Sequence, residues 1–275
     1  MPTVLDQLVT LLALERIEEN LFRGQSQDLG WARVYGGQVL GQALSAAVQT
    51  VPAERHVHSL HAYFLRPGEV NRPIVYDVDR IRDGGSFTTR RVVAIQGGHA
   101  IFNMAASFQK IEPGLEHQDV MPEAPLPETL PTLDERYAAH AARLAKDLAG
   151  RKIIARPFDV RTADPVEDPF APSKRPPARL VWLKTIERLP DDPALHHYLL
   201  AYASDYAFVT TIRVPYEEDT LFGRTYHACA SQGVDHALIN IDPVCGRSYD
   251  LAYTSTTHMV TATVCCPADH SGLGP

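Results

Sequence analysis

The stretch GWARVYGGQVLGQALSAAVQT, Gly30–Thr50, decides how the rest of the chain is read. It opens on a glycine pair, Gly36-Gly37, and settles into small and aliphatic residues. Val39, Leu40, Ala43, Leu44, Ala47 and Val48 recur at helical spacing and share one face. Pro52 ends the helix. Downstream the period changes to two. HVHSLHAYFLRPG from His56, RPIVYDVDRIRDG from Arg72, SFTTRRVVAIQGG from Ser86 and HAIFNMAASFQK from His99 are rich in β-formers and bounded by Gly or Pro. Asp83-Gly84-Gly85 and Gly97-Gly98 stand where hairpin turns belong, so these pieces read as consecutive antiparallel strands.

Composition breaks after this sheet. Between Pro113 and Pro177 fall 11 of the 21 prolines, with one helical island, LDERYAAHAARLAKDLAG. Such density suits an ordered connector laid across a surface rather than a core element. Then ARLVWLKTIERLP reads as a strand, LLAYASDYAF as a buried helix and RTYHACASQGVDHALINID as strand again. This order echoes the first half, and VHSLHAYFLRP loosely resembles GVDHALINIDP, as a duplicated unit would. The expected fold is α+β, a double hot-dog in which each repeat wraps an antiparallel sheet around a central helix. Residues 1–110 form the N-terminal hot-dog, 111–177 the Pro-rich connector with its one helix, and 178–275 the C-terminal hot-dog.

Bulk properties narrow the function. With 275 residues and 45% hydrophobic content the chain can bury a sizeable core, and its net charge of −7 argues against a nucleic-acid scaffold. No Lys/Arg block suggests a polybasic membrane patch, and no apolar run approaches a membrane span. The start, MPTVLDQLVTLLALERIEENLF, mixes acids with apolar residues and reads as an amphipathic helix rather than a signal peptide. Cys229, Cys245, Cys265 and Cys266 match neither zinc nor CxxC spacing. The expectation is a cytoplasmic protein with reduced thiols.

One residue breaks the pattern of its own segment. Asp205 is the lone acid in LLAYASDYAF, where desolvation of a carboxylate is costly unless something holds it. Other polar clusters read as structural. His56 and His58 fall on one strand face and His61 on the other, with no carboxylate at ligand spacing, so no metal is expected. Asp235-His236 is adjacent in a strand, which points the two side chains apart. Ser86 in GGSFTTRR lacks the context of a nucleophile elbow, and Arg90 and Arg91 read as a solvated strand face rather than as phosphate ligands.

LFRGQS with RVYGGQVLGQAL, VHSLHAYFLRPG, RDGGSFTTRRVVAIQ with IFNMAASFQ, and LAYASDYAF together resemble the acyl-CoA thioesterase II family of double hot-dog enzymes, over roughly residues 12–240. The resemblance implies an Asp, a Ser or Thr, and a Gln that hold the water attacking a thioester. ASDYAF places the Asp at Asp205. CASQGVDHA makes Ser231 the best match for the hydroxyl, with Gly233 as the alternative position. No glutamine follows Gln232, and the tail from about residue 238 lacks the family's look. Two glycines at a helix N-terminus offer free N–H groups and a favourable dipole, so Gly36, Gly37 and Gln38 are the candidates for binding the oxyanion or substrate. The implied activity is hydrolysis of fatty acyl-CoA by activated water, without metal or organic cofactor. The alternative is a catalytically weak acyl-CoA-binding protein of the same fold. A hot-dog enoyl-CoA hydratase would need an Asp/His pair at one helix–strand junction, which is not found. Acyl-CoA is the expected partner, with no nucleic acid and no stable membrane insertion. The oligomeric state stays open; a homo-oligomer is compatible with the fold, since hot-dog sheets commonly associate.

Overall fold

The computed structural model describes residues 2–30, 33–113, 123–147, 155–168, 173, 178–206, 236–240, 249–256 and 259–265. Helix α1 (Val4–Leu12) is started by a capping box: Thr3 Oγ1 accepts from Asp6 N–H, while Thr3 N–H donates to the Asp6 carboxylate. It buries Leu5, Leu8 and Leu12. The helix expected through Phe22 stops there. Residues 15–24 instead make a hairpin, β1 (Glu15–Glu18) and β2 (Leu21–Gly24), because β2 finds a ladder partner in β4 and buries Phe22 completely. Tertiary pairing overrides a helix-compatible local composition.

Helix α2 (Gly36–Val48) is buried along almost its whole length, not only along the expected stripe. It touches β2, β3 (Arg55–Phe64), β4 (Ile74–Asp83), β5 (Phe87–Gln96) and β6 (His99–Lys110), which curve around it. β4, β5 and β6 form the expected meander, but β3 pairs with β6 and not with β4. Burial on all sides explains why polar residues in α2 carry internal partners. The Gln42 amide donates to the carbonyls of Leu11 and Gln25, while its oxygen accepts from the Tyr76 hydroxyl at 2.7 Å. α1, the segment after β2, and β4 are thereby tied to one side chain.

Arg90 departs from the expected solvated face. It is 1% exposed and bonds the Thr50 carbonyl and hydroxyl and Asp83. Strand alternation turns it inward with Thr88, Val92 and Ala94, beneath the C-terminal end of α2, where a cation complements the helix dipole. Arg91, one residue on, is exposed and pairs with Asp79. A bulge between Val57 and Ser59 also breaks the alternation assumed for the histidines; His58 bonds Ser107 at 2.9 Å.

In the connector, the helical island is α3 (Leu133–Tyr137), a short 3-10 turn and α4 (Ala141–Asp147). The same stretch also supplies β7 (Phe158–Thr162), an edge strand paired with β8 (Ala178–Thr185). Helix α5 (Pro193–Ser204) follows, capped by the Asp192 carboxylate with Pro193 in its first turn. With β9 (His236–Asn240), β10 (Tyr249–Thr256) and β11 (Met259–Cys265), the described residues make one 11-stranded sheet, ordered β1-β2-β4-β5-β6-β3-β9-β11-β10-β8-β7.

The two halves are joined at β3 and β9. Ser59 to Tyr63 run antiparallel to Asn240 to His236. These are the loosely similar phrases of the sequence, so the double hot-dog is built around their pairing. Around this junction the described strands differ: β6 lies between β5 and β3, whereas β11 lies directly beside β9 and runs parallel to it. No strand among the described residues occupies the place corresponding to β6.

Candidate active site

The site arises where α2 and α5 cross. Gly37, Gly41 and Ser45 repeat every fourth residue along α2 and form a ridge of small residues. Tyr202 lies over Gly37 and Tyr198 over Gly41, so the helices run antiparallel at close range. A Cβ on Gly37 would run into the Tyr202 carbonyl oxygen and the Tyr35 ring, and one on Gly41 would stand 3.0 Å from the Tyr198 carbonyl oxygen. Glycine is required at Gly37 because backbone meets backbone there.

This crossing carries the end of α5 to the beginning of α2. Asp205 is not inside a helix, as the sequence pattern suggested; it is the C-cap of α5. Its Oδ2 accepts a hydrogen bond of 2.9 Å from Gly37 N–H. The N-cap residue of α2, Tyr35, gives that helix no side-chain cap, so a carboxylate from the other half caps it instead. Gly36 is equally confined: a Cβ there would lie 2.7 Å from Asp205 Oδ2 and 2.9 Å from the Phe64 ring.

Asp205 is deeply enclosed but not sealed, since part of its surface stays open to solvent. Enclosure pushes its pKa up to about 7, and the Gly37 hydrogen bond opposes that rise. Among the described residues no cation pairs with it, and Oδ1 has no hydrogen-bond partner. A carboxyl that titrates near 7, with one oxygen anchored, on a residue that keeps some surface open to solvent, can take a proton from water. Aromatic rings gather around the end of α5 that carries it: Tyr35, Tyr202, Tyr206 and Phe158 pack edge-on, tilted or stacked with ring centroids 5.0–6.2 Å apart.

Gly36 and Gly37 therefore lie beside Asp205. Gln38 departs from expectation: its side chain is 1% exposed, accepts from Gln27 N–H and donates to the Gln25 carbonyl, so it anchors the segment after β2 and is unavailable to a substrate. Its N–H is bonded to the Tyr35 carbonyl. Ser231 and the alternative Gly233 lie outside the described residues. Tyr35 and Phe64 were missed by sequence reading. The signal for the helix crossing was present in the spacing of Gly37, Gly41 and Ser45.

The family model described as the acyl-CoA thioesterase N-terminal domain matches residues 26–109, and that described as acyl-CoA thioesterase matches residues 148–257. Acyl-CoA thioesterase 2 of Haemophilus influenzae is 42% identical over 221 residues, covering 80% of this chain and 77% of that protein. The chain belongs to the acyl-CoA thioesterase II family. A solved acyl-CoA thioesterase II from Mycobacterium marinum is similar to it at 34% identity and a TM-score of 0.63, over 90% of this chain and 86% of that one. A protein of unknown function with a hot dog fold from Alicyclobacillus acidocaldarius, 17% identical, superposes at a TM-score of 0.59 over 95% of this chain and 99% of its own. It shares the fold alone. Among the described residues no helix is long and apolar enough to cross a membrane.

Proposed function

We propose that this chain hydrolyses fatty acyl-CoA thioesters to free fatty acid and CoA, with Asp205 as the general base. The observation that carries the reading is the Asp205 carboxyl, enclosed, anchored by Gly37 at the N-terminus of α2 and poised near pH 7. A thioester carbonyl has little resonance protection, so an oriented water attacks it without a covalent intermediate. Asp205 accepts one proton from that water as its oxygen bonds the carbonyl carbon. The tetrahedral oxyanion then collapses, the C–S bond breaks, and the proton on Asp205 passes to the departing thiolate.

Donors for the oxyanion come from the first half. Gly37 N–H is engaged by Asp205, but the first N–H groups of a helix have no intrahelical acceptor, which leaves Gly36 N–H as the backbone donor beside the carboxylate. Phe64 supplies an apolar wall next to it. The hydroxyl that the family resemblance assigns to Ser231 would hold the same water. A base from one repeat and donors from the other give a reason for both repeats to share one chain. The matched relatives carry enzyme names, which favours hydrolysis over an acyl-CoA-binding module.

The test is thiol release from palmitoyl-CoA by the wild type and by Asp205→Ala. General-base assistance contributes roughly 10²- to 10⁴-fold, and a loss in that range is expected. Equal rates near background in both proteins would point to the binding module instead, and hydration of crotonyl-CoA would point to a hydratase.

A further inference from the structure

The structure assigns Tyr35 as a positioning residue that sets the distance between Gly37 N–H and the Asp205 carboxylate from the opposite half of the molecule. This inference rests on the reading of Asp205 as the base. The last turn of a helix leaves carbonyls without intrahelical donors. In α5 the Tyr206 N–H, which would reach the Tyr202 carbonyl in a continuing helix, bonds the Ala203 carbonyl instead. The Tyr202 carbonyl takes its donor from elsewhere: the Tyr35 hydroxyl, at 3.0 Å.

The ring is held as firmly as the hydroxyl. Its centroid lies 5.0 Å from that of Tyr202 and 5.6 Å from that of Tyr206, both edge-on. These two residues stand three before and one after Asp205, and Phe158 backs both rings. Tyr35 itself immediately precedes Gly36-Gly37 in the chain. One residue is thus fixed, by covalent adjacency and by contact, to both partners of the Gly37–Asp205 hydrogen bond. Ring packing alone would need no hydroxyl. The hydroxyl matters because it closes the frayed end of α5 at the point from which Asp205 projects.

Without that bond the Tyr202 carbonyl loses its donor and the last turn of α5 relaxes away from α2. The Gly37 hydrogen bond, which favours the ionised carboxylate against desolvation, then weakens. Two effects follow together: a poorer alignment of the attacking water and a base that deprotonates at higher pH. Among the described groups close to Asp205, the Tyr202 and Tyr206 phenols titrate well above neutrality, and Arg156 stands beyond Tyr206. Neither phenol mimics a limb near pH 7.

The experiment compares wild type, Tyr35→Phe and Asp205→Asn with palmitoyl-CoA between pH 5 and 9, alongside thermal melting. Tyr35→Phe is expected to lower kcat roughly tenfold with KM little changed, as a sub-ångström misalignment does. The acid limb of kcat should move up by about half a unit or more. A lowered melting temperature with an unmoved limb means packing only and overturns the inference. If Asp205→Asn retains wild-type turnover, the base assignment falls and the role of Tyr35 with it. If Asp205→Asn is inactive while Tyr35→Phe keeps the wild-type limb, Tyr35 alone is refuted. Should Tyr35→Phe fail to fold, 3-fluorotyrosine at position 35, a stronger donor of nearly the same shape, should move the limb down; an unmoved limb overturns the assignment.

Discussion

Replacing Asp205 by Asn separates what the carboxyl does for turnover from what its ionisation costs the fold. Enclosure raises its pKa from 3.8 to about 7, against the pull of Gly37 N–H. Between those values the folded protein holds a proton that the unfolded chain has released, so stability falls as pH rises through the window. Above pH 7 the penalty is fully present, and a rise of about three units corresponds to about 4 kcal/mol. Below about pH 4 the penalty vanishes. Asn stays neutral throughout and can still accept from Gly37 N–H. Asp205→Asn should therefore be more stable than wild type at pH 8, by about 2–4 kcal/mol in urea denaturation, with the gain shrinking to nothing near pH 4. Its thiol release from palmitoyl-CoA should fall roughly 10²- to 10⁴-fold, and wild-type kcat should rise with pH through a midpoint of about 7. An Asn variant that is no more stable at pH 8 than at pH 4, relative to wild type, would refute the desolvation argument. Undiminished turnover would refute the base.

Gly37→Ala places a methyl group against the Tyr202 carbonyl and the Tyr35 ring, so the helices must part by about 1 Å; kcat should drop about 10²-fold. Overpacking should cost about 1–3 kcal/mol in the same denaturation assay, and wild-type rates would show that the crossing tolerates what its geometry forbids. Gln42→Ala leaves the fully buried Tyr76 hydroxyl and the Leu11 carbonyl without their partner, with a cavity beside them. A loss of about 3 kcal/mol in unfolding free energy is expected, and a change under about 1 kcal/mol would mean that water replaces the amide.

Much of the architecture was legible because its signals are local. The strands β4, β5 and β6 alternate and are separated by glycine turns, with Gly97 and Gly98 both at positive φ. The start of α2 at Gly36 follows from the glycine pair and the apolar run after it. What misled the reading was context. Residues 15–24 carry a composition that suits a helix, and only the ladder to β4 makes them a hairpin. β7 lies in a proline-rich segment and becomes a strand through its pairing with β8. Arg90 reads as surface until its inward register under the end of α2 is known.

The candidate site divides in the same way. Asp205 stood out in the sequence by its chemistry, one acid among apolar residues, and Gly36-Gly37 by their lack of side chains. Their meeting did not stand out, since 168 residues separate Gly37 from Asp205 and no local propensity spans that interval. In the sequence alone, motifs carried the resemblance to the family, while periodicity and composition, which act over a few residues, marked the echoed order of elements and the odd carboxyl. Only the tertiary structure decided that this carboxyl caps the other repeat's helix, that Gln38 is bonded away from it and that Tyr35 clamps the joint. Those facts depend on how closely two helices approach, and that distance is set by packing across the whole molecule.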